Sequence, residues 1–320
     1  FELGNHCGLE IHGNDEDNRL FGSSGDDVIF GYGGNDAIVG GLGNDTLDGG
    51  GSGAAGEGRS DWNVDILFGD AHNIPEALVQ SASFYSPQTI QEDGVMPVIP
   101  VAISLFRNAE TLTDLDPEAL FEQFDGEPGQ DEIITGDATG DAFWNGSIVI
   151  AGSGDDRVMA GAVSGASVWN GDLIFTGSGN DVATGGSSQG DAFWNGSVVV
   201  GGLNDDVIED GSRSGQSFWT GSLLIGNSGD DVITAGAYSG QDGWRGALAM
   251  GGEGDDQLAG GEISGSGGRN GDQLIGGPGD DILVGGRYEG TEGWNGAMLM
   301  GQDGNDQLFG STIHLSLIHI

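Results

Sequence analysis

Carboxylates dominate the chemistry of this 320-residue chain, in which 51 Asp and Glu face only 8 Lys and Arg for a formal charge of -43. They do not run in blocks. Asp131, Asp156, Asp181, Asp206, Asp231, Asp256, Asp281 and Asp306 recur every 25 residues without a slip, each closing a turn such as GSGDD or GPGDD. Upstream, GSSGDDVIF, GYGGNDAIV and GGLGNDTLD are consecutive nonapeptides that carry Asp27, Asp36 and Asp45. Spacing this even argues for ligands rather than for one acid/base pair. If the units stack as neighbouring strands about 4.8 Å apart, equivalent Asp side chains meet. Two carboxylates about 5 Å apart, at an effective dielectric near 20, repel by roughly 3 kcal/mol. No Lys or Arg in these turns offsets that, so a multivalent cation must. Asp and backbone carbonyl oxygens are hard donors, with no His or Cys beside them. They favour calcium, which takes six to eight oxygens in loose geometry, over zinc, copper or strictly octahedral magnesium. Several Ca2+ ions are expected, and the many glycines let several carbonyls turn toward one point.

Positioning such a column needs a repeated element. Two places after each Asp of the long array stands Ile133, Val158, Ala183, Ile208, Ile233, Leu258, Leu283 or Leu308. A three-residue strand cannot bury a core alone, but stacked coil on coil it can. The expected fold is all-β: a parallel β-roll or β-solenoid of stacked calcium-binding turns, interrupted by a small mixed insert. The period divides the chain into a nonapeptide roll with a transition unit (1–69), a non-repeat insert (70–126), a 25-residue-repeat solenoid (127–310) and a tail (311–320). Within the insert, Asp116-Pro117-Glu118 reads as the start of a short helix. Residues 315–320 (LSLIHI) are similar to a translated sequencing-library adapter, so both ends are expected to be arbitrary and the natural protein longer.

GGLGNDTLD at Gly40–Asp48 resembles the RTX, or haemolysin-type, calcium-binding nonapeptide G-G-x-G-x-D-x-U-x, and the same pattern recurs as one half of each 25-residue unit. The resemblance implies calcium held between successive coils by Asp carboxylates and turn carbonyls, with the Asp45 turn stacked on the Asp27 turn. It also implies type I secretion to a calcium-rich extracellular setting. Departures matter. On the other half of each long coil, Ser147, Asp172, Ser197, Ser222, Ala247, Asp272 and Ala297 stand where a second Asp belongs, so that edge has largely lost its ligands. Asn204 replaces a turn glycine, and Asp131, preceded by Gln130 beside the insert, is expected to form only a half-site.

What replaces the lost edge is a seven-residue expansion bearing Trp144, Trp169, Trp194, Trp219, Trp244 and Trp294, with Arg269 in the gap. Two readings stand: a structural ladder of stacked rings, with Arg269 over a neighbour, or an exposed strip for a carbohydrate or protein partner. In the apolar runs that follow, Val149, Ile174, Val199 and Leu224 are expected to point inward. Their flanks would then line a flat outer face that seldom stays bare. Asn145-Gly-Ser and Asn195-Gly-Ser match glycosylation sequons but read as turns.

The acidity excludes nucleic acid and disfavours anionic membranes, and no apolar run is long enough for a membrane-spanning helix. No HExxH motif is present, and Gly186–Gly190 matches GxSxG only inside a repeat loop. No enzyme is expected within these residues. The sequence reads as a calcium-binding scaffold or adhesin-like segment of a secreted bacterial protein. The alternative is the tail of an exported protease, lipase, alginate epimerase or pore-former. Ice binding would want a regular Thr ladder, which the turns lack.

Overall fold

Each residue two places beyond a turn Asp sits at the centre of a short strand, and those strands form one face of a solenoid. The computed structural model describes residues 8–51, 62–70, 129–241, 243–266, 268–290 and 294–315. The first sheet has 11 parallel strands, from Glu10–Asn14 through Val28–Tyr32, Thr46–Asp48, Glu132–Ile134 and Arg157–Met159 to Gln307–Phe309. Its register is the sequence period: Val158 lies opposite Ile133 and Ala183, and Ile208 opposite Ala183 and Ile233. The two arrays share this sheet, because Leu47 pairs directly with Ile133. Strand Trp62–Asp70 likewise bridges Ala37–Gly41 and Trp144–Ser153 in another sheet. The insert therefore leaves and rejoins a continuous stack; its expected helix lies outside the described residues, among which there is no helix.

The seven extra residues of the long repeat build further sides. A second sheet of eight strands, from Ala138–Thr139 to Thr312–Leu315, belongs to the 25-residue coils alone. A third, of 16 strands, carries both the Trp positions and the apolar runs. Trp144–Ser153 is one continuous strand, whereas the next coil divides it into Ser167–Asn170 and Leu173–Ser178.

The core is two facing columns. Ile29, Leu47, Ile133, Val158, Ile208, Ile233, Leu258 and Leu283 meet Ile38, Leu67, Val149, Ile174, Val199 and Leu224, all within 1% of full burial. Fully burying each such side chain is worth about 1.5–3 kcal/mol, and the second sheet adds Tyr238, Ile263 and Tyr288. The flanks of the apolar runs do point away from this core, yet the face is not bare. Ile148, Ile150, Leu173, Phe175, Val198, Val200, Leu223 and Ile225 form a second cluster, only 3–8% exposed. The outward residues Val232 and Val284 of the first sheet are 37% and 40% exposed, so strand geometry alone does not close that face. Burial fades toward the last coil, where Met300 is 39% exposed.

Candidate metal centre

Immediately before each strand of the first sheet after Glu10–Asn14 stands its Asp, and the stack turns these residues into a column. Asp27, Asp45, Asp131, Asp156, Asp181, Asp206, Asp231, Asp256 and Asp281 are at most 2% exposed, and Asp306 half-buried. Each uses one oxygen for the fold. The Oδ1 of Asp45 accepts the backbone N–H of Asp27 at 2.8 Å, that of Asp131 the N–H of Asp45 at 2.7 Å, and that of Asp156 the N–H of Asp131 at 2.8 Å. The pattern repeats at 2.8–3.1 Å down to Asp306.

The other oxygen is left over. Oδ2 of Asp45, Asp131, Asp156, Asp181, Asp206, Asp231, Asp256 and Asp281 is buried without a hydrogen-bond partner. Buried polar atoms are rarely orphaned, and a buried charge needs an opposite charge or a metal. From Asp206 onward the room around Oδ2 is made by a glycine five residues earlier, whereas Ala151 and Thr176 hold that place before Asp156 and Asp181. A Cβ on Gly201, Gly226, Gly251, Gly276 or Gly301 would lie 2.0–2.3 Å from the Oδ2 of Asp206, Asp231, Asp256, Asp281 or Asp306. The same Cβ on Gly226 would lie 2.7 Å from the Gly251 carbonyl, so carboxylate and carbonyl oxygens face one space.

Among the described residues the ion pairs His12–Glu10, Arg213–Asp210 and Arg287 with Glu262 and Glu289 all lie away from this column. Burial, then the neighbouring carboxylates, push Asp156 and Asp206 up to about 9 and Asp131 to about 8, against the lowering pull of their backbone donors. Asp231 and Asp256 rise to about 7 for the same reasons. Among the described residues no three His, Cys, Asp or Glu side chains converge on one point. A metal here must therefore draw on backbone carbonyls as well, which suits calcium and not zinc. Asn204 keeps the turn by taking φ +78°, the left-handed conformation of the glycine it replaces. Asp131 has the same cap and the same orphaned Oδ2 as the other column members, so Gln130 does not unmake its place.

A second column runs along the apolar strands. It holds Asp36, then Asp65, Ser147, Asp172, Ser197, Ser222, Ala247, Asp272 and Ala297. Asp36 has an orphaned Oδ2, caps Asn18 N–H at 2.8 Å and is pushed up to about 6 by burial. Asp65 caps Asp36 N–H at 2.9 Å and is raised well above the usual carboxylate range by burial. Further on the column closes on itself. Asp272 accepts Ala247 N–H at 2.8 Å, Gly261 N–H at 3.0 Å and Tyr288 O–H at 2.9 Å. Near Asp172 a guanidinium fills the gap: buried Arg213 donates to Asp210 at 2.6 Å, Ser197 at 2.9 Å and Ser222 at 3.3 Å. Tyr238 O–H completes the set on Asp210 at 2.6 Å.

The Trp positions form a ladder. Trp144, Trp169, Trp194, Trp219 and Trp244 stack at centroid distances of 4.5–5.1 Å with planes within 9°, and Arg269 lies 5.6 Å over Trp244. Each Nε1–H donates to a glycine carbonyl of the next coil, from Trp144 to Gly171 at 2.7 Å through Trp244 to Gly271 at 3.2 Å. Trp294 continues the backbone register opposite Arg269; its side chain lies outside the described residues. The residues after the Trp are not turns. Asn145 and Asn195 are fully buried in strands, and Asn145 Nδ2 donates to Asn170 Oδ1 at 2.9 Å, so neither sequon can carry a glycan. The exposed ring column is one residue earlier: Phe143, Val168, Phe193 and Phe218 are 43–68% exposed, and Phe193 stacks on Phe218 at 5.1 Å.

Sequence reasoning passed over Asp65, Asp70, Arg213 and this Phe column. Asp65 could have been found: it follows Trp62 by three residues, as Asp172 follows Trp169. Arg213 left no signal in its spacing.

The family model described as RTX calcium-binding nonapeptide repeat (4 copies) matches this chain over residues 12–47, 169–189, 223–237, 249–262 and 266–287. These stretches contain Asp27, Asp36, Asp45, Asp181, Asp231, Asp256 and Asp281. No curated protein matches.

Proposed function

Because the chain carries RTX calcium-binding repeats in a parallel β-solenoid, we propose that it is a calcium-gated structural segment of a secreted bacterial protein, exported by a type I system and acting as a scaffold or adhesin-like module. The observation that carries this is the unbroken run of buried, partnerless Oδ2 atoms from Asp131 to Asp281. Without a cation, those oxygens oppose the stack that the hydrophobic columns favour; with calcium, folding and binding become one event. Extracellular millimolar calcium would then act as the folding signal.

The groups whose pKa is raised support a non-enzymatic segment. Apart from Tyr238, Tyr288 and Asp70, all belong to the two columns. No helix among the described residues is long and apolar enough to cross a membrane. A binding strip for a protein or carbohydrate is a second reading. It moves from the Trp rings, whose faces and Nε1–H groups are engaged, to the exposed Phe143, Val168, Phe193 and Phe218 column.

The test is far-UV circular dichroism with calcium and then with excess chelator. A β-sheet spectrum in calcium and a coil-like one in chelator are expected. An unchanged sheet signal in chelator refutes calcium gating.

A further inference from the structure

We propose that Asp70 is a further calcium ligand, one that rebuilds an acidic turn across the point where residues 71–128 are spliced into it. The inference rests on the calcium reading above and concerns a side chain outside the repeated Asp positions.

The splice point can be located to the residue. Asp70 lies opposite Gly41 in the third sheet, and a Cβ on Gly152 would lie 2.8 Å from the Asp70 Cβ, so Gly69-Asp70 stands where other coils have Gly40-Gly41 or Ala151-Gly152. On the far side, Gly129 N–H donates to Ser153 O at 3.0 Å as Gly154 N–H donates to Ser178 O at 2.7 Å. Gly129-Gln130-Asp131 is therefore the end of the same turn. A single residue, Leu42 in one coil and Ser153 in another, is replaced here by 58 residues. Every other turn of the first column is a short covalent link; this one must be closed by something else.

Asp70 is placed to do that. The corresponding positions elsewhere are Ser23, Gly41, Gly152, Gly177, Gly202, Asn227, Gly252, Gly277 and Gln302, none of them acidic. Asp70 is 1% exposed, and its Oδ2 accepts the N–H of Gly129 at 2.7 Å, so one oxygen already ties the two sides of the splice. Its Oδ1 is buried without a partner, as is Oδ2 of Asp131. A Cβ on Gly69 would lie 2.2 Å from Asp131 Oδ2, and one on Gly129 would lie 2.1 Å from the Gly43 carbonyl and about 3 Å from both Asp70 oxygens. The charged groups facing Asp70 are carboxylates, Asp45, Asp131 and Asp156. Hard oxygens of one sign, two of them orphaned, with carbonyls alongside, form a calcium donor set. The ion would hold the two sides of the splice together where the chain does not.

The test uses the full chain and two variants, with calcium alone as the probe. Asp70→Gly restores the residue of Gly41 and Gly152 and leaves the fold intact; Asp70→Asn keeps the acceptor for Gly129 N–H and removes the charge. Equilibrium dialysis counts the ions per chain, and circular dichroism reports folding in parallel. Both variants are expected to fold in calcium while binding one ion fewer, or holding one ion at least ten-fold more weakly. Variants that match the wild-type count and affinity overturn the assignment of Asp70 alone. A wild-type chain that takes up no calcium overturns the calcium reading with it.

Discussion

Removing calcium should leave a chain that acid can fold. Asp131, Asp156 and Asp206 are raised in the stack to about 8, 9 and 9, chiefly by burial, from the value of 3.8 of a free Asp. A raised folded-state value means the folded form binds protons more tightly than the unfolded one. The metal-free stack is thus most favoured below pH 3.8 and loses stability as pH rises toward the folded values. At pH 7 each of these three residues must keep a proton that the unfolded chain has released, at a cost of about 4 kcal/mol. Together that is about 13 kcal/mol, comparable to the whole stability of an ordinary domain. Metal-stripped protein should therefore be coil-like at pH 7.5 and gain far-UV sheet signal as pH falls from 7 toward 4. In the presence of calcium the sign reverses: the ion must displace these protons, so the calcium needed for half-folding rises as pH falls below 7. A metal-free chain that is folded at pH 7.5 and loses its sheet on acidification would refute the reasoning.

Two further outcomes probe the turn and the ladder. Gly201→Leu puts a Cβ 2.3 Å from Asp206 Oδ2 and a side chain larger than the Ala151 and Thr176 that hold this place before Asp156 and Asp181, an overpacking cost of about 1–3 kcal/mol; one calcium ion should weaken by ten-fold or more in a binding titration, and an unchanged titration would contradict the cradle. Trp194→Ala removes two stacks at 4.9 Å and the bond to Gly221, and should cost about 3 kcal/mol in denaturant unfolding at saturating calcium. Trp194→Phe keeps the stacks and should cost about 1 kcal/mol. An Ala variant as stable as wild type would return the Trp rings to the binding-strip reading.

The solenoid was readable because its period is exact. Once Asp156 and Asp181 are 25 residues apart and Val158 and Ala183 keep the same offset, the strand register follows from side-chain alternation. The acidic column and its hard-oxygen preference followed from charge alone. What the period could not show is which atom of each Asp is spent on the fold: the Oδ1 cap and the orphaned Oδ2 are three-dimensional facts. It also could not say which ring faces water. Phe193, Trp194 and Asn195 are consecutive, and only the register shows Asn195 inward, Trp194 in the ladder and Phe193 62% exposed. Asp70 stayed hidden because the 58-residue splice separates it from Gly129. Joining the two ends on paper recreates the turn.

The caps of the buried Asp column and the Trp bonds point one way along the stack. Asp206 Oδ1 completes the turn of Asp181, and the Gly221 carbonyl receives the Trp194 ring N–H. The exposed Asp beside each buried one faces the other way, since Asp205 Oδ1 accepts Asp230 N–H at 2.9 Å and Asp230 Oδ1 accepts Asp255 N–H at 2.8 Å, so each coil completes both of its neighbours, the buried column serving the coil before it. A lesion at Asp206 should first be felt at Asp181, one coil toward the N-terminus, and hydrogen exchange should open there rather than at Asp231.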